Sequence, residues 1–158
     1  MSLARTVFSS PVHCLAFGLG SGLSPKAPGT VGTVAAIPFY LLLAQLAPAS
    51  YAVLVVLAAA VGVWVCGESA RRLGVHDHGG IVWDEFVGFW ITMFLAPAGW
   101  LWVGLGFVLF RLFDIWKPWP VRVVDAQLHG GLGIMLDDIL AGVYAWLVLQ
   151  GIAWLVSW

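Results

Sequence analysis

Five apolar stretches, at 31–47, 51–69, 81–95, 99–116 and 139–156, leave this chain few ways to fold. A helix needs about 20 residues to cross a bilayer, within a range of roughly 17–25. Four of the stretches fall in that range; the third is shorter and carries Asp84 and Glu85 near its start. Prolines fall between them: Pro48 after the first, Pro97 after the third, and the string Lys117-Pro118-Trp119-Pro120 after the fourth. Proline ends a helix by removing a donor and crowding the preceding turn. Charged residues make up 9% of the chain and hydrophobic ones 61%, against roughly 25% charged in a soluble domain. The expected fold is therefore all-α, an integral membrane helical bundle with about five membrane segments. Stretch 12–22 is too short and glycine-rich to span, and reads as a short interfacial or re-entrant helix. The 158 residues read as a single domain, with 1–11 a flexible N-terminus.

Composition removes several function classes. A net charge of −1 offers no basic field for nucleic acid. Cys14 and Cys66 stand alone in apolar surroundings and read as buried thiols, not a disulfide framework. The N-terminus, broken by Ser9, Ser10, Pro11 and His13, does not read as a signal peptide. Trp83, Trp100, Trp102, Trp116, Trp119 and Trp158 fall near segment ends, where an aromatic belt would lie. Threading the five segments from a cytoplasmic N-terminus puts all seven Lys and Arg residues inside, as the positive-inside rule asks. The acids and histidines fall on the same side. The turns at Pro48 and Pro97 carry no charge.

Five polar clusters gather at that inner end. Asp84-Glu85 interrupt an apolar run, where carboxylates are costly unless paired, hydrated or metal-bound; capping a helix start is the plainer alternative. Asp137-Asp138 sit at the head of the last segment, again good helix-start residues, behind Gly130, Gly131 and Gly133. Arg111, Asp114 and Lys117 are spaced i, i+3, i+6, close enough for plain intrahelical pairs. An acid between two bases also suits a metal–phosphate site. The loop from Gly18 to Thr30 could present backbone N–H groups and a helix start to an anion. It is neither a P-loop nor a dinucleotide fingerprint. His76-Asp77-His78 offers titratable rings in a loop. Hard oxygen donors beside bases suit Mg²⁺, which commonly bridges to substrate phosphate. The residues thus point to a Mg²⁺-dependent site for a phosphorylated lipid at the cytoplasmic membrane face.

The order of these clusters resembles the phosphatidylglycerophosphatase A family of bacterial membranes. The resemblance runs through Gly20-Ser21-Gly22-Leu23-Ser24-Pro25, Pro28-Gly29-Thr30, Val75-His76-Asp77-His78-Gly79 and Ile81-Val82-Trp83-Asp84-Glu85-Phe86. It continues through the run from Phe110 to Pro120, the run from His129 to Met135, and Asp137-Asp138. It implies Mg²⁺-dependent hydrolysis of phosphatidylglycerol phosphate to phosphatidylglycerol and phosphate, in a multi-pass protein of the inner membrane. On that footing Asp84, Glu85, Asp137 and Asp138, with Asp114, are the expected metal ligands, and Asp84 and Glu85 the core of catalysis. Arg111, Lys117, Lys26 and Thr30 are expected to hold the phosphate, and His129 or His76 to protonate the leaving oxygen. The string Cys66-x5-Arg72 formally matches cysteine phosphatases, but it continues an apolar helix where those enzymes need a tight loop. The CDP-lipid phosphotransferase and Pro-Ser-Gly-His phosphatase signatures are absent. A small metal-ion or proton transporter is the rival from another class. It would place polar groups at mid-membrane or on both sides, unlike the one-sided pattern here.

Overall fold

The computed structural model describes every residue except Met1, His76, Asp77 and Trp158. Those described are helical, with no strand: α1 (Leu3–Ser9), α2 (Pro11–Ala16), a 3₁₀ turn (Gly18–Leu23), α3 (Pro28–Leu43), α4 (Pro48–Leu73), α5 (Trp83–Thr92), α6 (Trp100–Trp116), α7 (Val121–Gln127) and α8 (Gly130–Val156). All five apolar stretches become helices, but the count of membrane segments needs correction. Only α4 and α8, of 26 and 27 residues, are long and apolar enough to cross a membrane by length and composition. Helices α3 and α6 have 16 and 17 residues, and α5 has only 10. The two long helices are not ordinary core helices. Just 28% and 22% of their most apolar windows are buried, and Val56, Leu57, Trp64, Leu147 and Leu155 lie exposed along them.

Two boundaries differ from expectation for local reasons. Helix α8 starts nine residues before the apolar stretch, at Gly130, with His129 at its N-cap. Asp137 and Asp138 are therefore buried residues of the helix interior, not its head. The N-terminus, expected to be flexible, is helical from Leu3 to Ser9 and buries Val7. Stretch 12–22 divides into α2 and the 3₁₀ turn.

Helix α5 is the centre. Phe86, Val87 and Phe89 are fully buried, and α3, α4, α6 and α8 pack around it. Trp83 stacks on Phe86, and Trp90 meets Phe86 edge-on. Both indoles spend their N–H groups on neighbouring helices: half-buried Trp83 donates to the Ala58 carbonyl at 3.0 Å and buried Trp90 to that of Ala36 at 3.1 Å. Buried polar groups need such partners. Helices α5 and α8 touch backbone to backbone, since a Cβ on Gly142 would come within 2.5 Å of the Gly88 carbonyl oxygen. Glu85 lies one turn before Gly88, and Asp138 one turn before Gly142. That glycine contact thus brings the two acidic turns together.

Candidate active site

Carboxylate ligand atoms of Asp84, Glu85 and Asp138 all lie within 4.8 Å of one another. The first two stand in the first turn of α5, where acids are favoured by the helix dipole. The third comes across from α8. Glu85 and Asp138 are buried. Helix capping therefore explains the position of Asp84 and Glu85 but not the arrival of a third acid from another helix. Like charges this close repel unless a cation or protons intervene.

Among the described residues, a guanidinium reaches the cluster. Arg111, near the end of α6, pairs with Asp114 one turn on and stands 3.9 Å from Glu85 Oε1. The charge of Asp114 bears on both Glu85 and Asp138. Two atoms here are buried without a hydrogen-bond partner among the described residues, Glu85 Oε2 and Arg111 Nε. Orphaned polar atoms in a native site call for an explanation such as an ion or ligand.

The glycine-rich loop ends at the same place. Ala27 takes a left-handed conformation (φ 45°) and starts α3 at Pro28. A Cβ on Gly29 would run into Glu85 Oε1 and lie 3.1 Å from Arg111 Nη1. Only glycine lets the first turn of α3 approach so closely. Early N–H groups of a helix lack intrahelical acceptors, and the first turn of α3 stands beside the Glu85–Arg111 pair. Thr30, the next residue, is half-buried.

Several expected residues sit elsewhere. Asp137 is not in the carboxylate cluster: Lys117 Nζ reaches it at 2.8 Å and reaches Asp125 on α7 at 2.6 Å. The i, i+3, i+6 spacing fails at its last step because Lys117 has left the helix, at φ 47°. Burial works against the Lys117 charge, but hydrogen bonds with Asp125 and Asp137 outweigh it and hold the ammonium above its ordinary pKa. Lys26 is exposed. His129 is exposed, its Nδ1 3.1 Å from the Gln127 carbonyl oxygen. It lies nine residues before Asp138, or about 13 Å along α8. His76 lies outside the described residues. Cys66 is fully buried within continuous α4, so Cys66-x5-Arg72 is a helical stretch and no phosphate loop. Sequence reading missed Asp125, whose spacing from Lys117 fits no helical rule, and Gly29 as the contact point of its loop.

The sequence profile of the phosphatidylglycerophosphatase A family matches residues 14–153. A protein of Escherichia coli strain K12 named phosphatidylglycerophosphatase A is 54% identical over 141 residues, covering 89% of this chain and 82% of that protein. One of the same name from Haemophilus influenzae is 44% identical, covering 95% and 93%. A Bacteroides thetaiotaomicron protein named "Putative phosphatidylinositol-3-phosphatase" is 40% identical, covering 89% and 92%. No solved structure matches the chain.

Proposed function

The chain belongs to the phosphatidylglycerophosphatase A family, and from that premise we propose that it hydrolyses phosphatidylglycerol phosphate to phosphatidylglycerol and phosphate, using Mg²⁺. The observation that carries the reading is the partly buried cluster of Asp84, Glu85 and Asp138 beside Arg111, with Glu85 Oε2 left without a partner among the described residues. Three hard oxygen donors and an orphaned carboxylate oxygen suit a divalent cation that keeps some waters and binds phosphate. When bound, such an ion polarises phosphoryl oxygens and lowers the pKa of a bound water.

The chain's own groups do the rest. Asp84, Glu85 and Asp138 hold the ion, with Asp114 supporting from Arg111. The Arg111 guanidinium faces the phosphate oxygens and balances charge developing there. The first-turn N–H groups of α3, at Gly29 and Thr30, add donors on the same side. Lys117 acts through Asp137 and holds α7 against α8. The distance of His129 from the cluster favours solvent as the proton source for the leaving oxygen.

We place the protein in the bacterial inner membrane with this end cytoplasmic. The exposed apolar flanks of α4 and α8 support insertion. The collection of Arg111, Lys117, Arg71 and Arg72 at the cluster end supports the orientation. The transporter reading is weaker, because the described acids gather at one end of the bundle.

Phosphate release by detergent-purified protein tests the proposal. Release from phosphatidylglycerol phosphate is expected with Mg²⁺, lost with EDTA and with Asp84→Asn, and kept in Cys66→Ser. Faster release from phosphatidylinositol 3-phosphate would reassign the headgroup. Release that survives EDTA but not Cys66→Ser would overturn the metal site.

A further inference from the structure

Helix α3 packs mainly on α5, and α6 mainly on α8. Between α3 and α6 runs an apolar cavity of about 270 Å³, lined by Val34, Ile37, Trp100, Val103, Gly104 and Phe107. Its walls are continuations of the active site. On α6, Phe107, Gly104 and Trp100 follow Arg111 at i−4, i−7 and i−11, one stripe of the helix. On α3, Val34 and Ile37 follow Thr30 at i+4 and i+7 on one stripe. The two helices run in opposite directions, and the approach of Gly29 to Arg111 fixes the polar end of the groove.

We propose that this groove takes one acyl chain of the phosphorylated lipid, entering sideways between α3 and α6 while the phosphate meets Arg111. The proposal rests on the phosphatase reading and deepens it. Length supports it: eleven residues separate Trp100 from Arg111, about 16 Å of helix rise. One leaflet is about half of a roughly 30 Å hydrocarbon core. Chemistry supports it as well, since the lining is apolar up to Thr30 and Arg111, and a phospholipid changes from apolar to ionic at the same point. Trp100, largely exposed, lines the far end.

Gly104 makes the idea testable, because a Cβ there would meet no atom within 4 Å. A side chain added at 104 therefore starts into open space on a face that borders the groove, and a phenylalanine is the probe that would occupy it. The test compares dipalmitoyl and dihexanoyl forms of one phosphorylated lipid in matched micelles. The parent is expected to favour the long-chain form. Gly104→Phe, and Val34→Phe from the opposite wall, are expected to raise KM for the long-chain form about tenfold, equivalent to roughly two buried methylenes. Turnover of the short-chain form should persist, which also reports folding. Because Gly104 borders the α6–α8 cleft too, Ile152→Phe in that cleft is the control and should change neither substrate. An unchanged long-to-short ratio in both groove variants, equal loss of both substrates, or the same effect from Ile152→Phe would overturn the groove. A parent that cleaves neither substrate would remove the phosphatase reading and the groove with it.

Discussion

Asp137 and Asp138 are neighbours in sequence but point about 100° apart around α8, and that separates their partners. Asp138 turns to Asp84 and Glu85, whereas Asp137 turns to Lys117. A group supporting a metal ligand is commonly worth about 10- to 100-fold, so a ligand itself is worth at least the upper end. Asp138→Asn is expected to lower Mg²⁺-dependent phosphate release by about 100-fold or more, and Asp137→Asn by less than about tenfold; initial rates at saturating Mg²⁺ check both. Equal losses would mean that the pair acts as one unit. Gly29→Ala is the matching backbone change. Its methyl must displace the Glu85 carboxylate, so the Mg²⁺ concentration for half-maximal rate should rise several-fold while thermal stability in EDTA changes little. In the sequence, acids inside an apolar run announce themselves through their desolvation cost, which singled out Asp84 and Glu85, whereas Asp137-Asp138 read equally well as a helix start. What pattern could not supply was which of two adjacent acids faces inward. That depends on the helix starting at Gly130, and on Gly88 and Gly142 setting the contact between α5 and α8.

Helix existence was the most legible feature, because proline or glycine stands at or near an end of the first four apolar stretches. Helix ends were less so, since three glycines in the first turn of α8 argue against a helix start there, and close packing of Gly131 on α4 and burial of Ile134 and Met135 hold it helical. Short α2 shows how an element too small to be stable alone is held. His13, buried on α2, meets Ser69 of α4 through Nδ1 at 2.8 Å, and Ser69 is itself fully buried. Burial lowers the His13 pKa below 6.5, Arg72 lowers it further, and Glu68 opposes them. The sign follows from linkage: below pH 6.5 the unfolded chain takes up a proton that the folded chain resists. Folded-state stability should thus be level above that pH and fall as pH drops through 6.5 toward the lowered value. Thermal unfolding in detergent between pH 8 and 5 measures it. His13→Asn keeps a hydrogen-bonding atom near the Nδ1 position without titrating there, and should flatten this part of the profile. An unaltered slope would assign the acid sensitivity to other groups.

At the scale of the whole molecule, lengths explain why five apolar stretches do not give five equal crossings. Helices of 26 and 27 residues rise about 40 Å, those of 16 and 17 about 25 Å, and α5 only about 15 Å. Against a hydrocarbon core of roughly 30 Å, α5 reaches half-way. The helix can end at that depth, and residues 93–99 run on from it toward the outer face, only if their backbone groups are satisfied within protein. The structure meets this condition: the Phe94 carbonyl accepts from Trp146 Nε1 and Gln150 Nε2, each at 2.9 Å. The Trp90 carbonyl accepts from Tyr51 Oη at 2.7 Å, and Thr92 Oγ1 donates to carbonyls of Gly88 and Gly142. Composition could not foretell this, because a half-length helix sheathed by others is as apolar as one that crosses. The membrane orientation proposed above then makes a definite prediction. In a Cys14→Ser background, leaving only fully buried Cys66, an impermeant maleimide on intact cells with an opened outer membrane should label Ala98→Cys. It should label Arg122→Cys only after the inner membrane is breached. Labelling of both from outside would put the carboxylate cluster on the wrong face for a cytoplasmic substrate. Labelling of Arg122→Cys alone would invert the molecule. With the expected pattern, the turn beyond α5 faces outward and all three ligand-bearing carboxylates face the compartment where phosphorylated lipid precursors and Mg²⁺ are expected to meet.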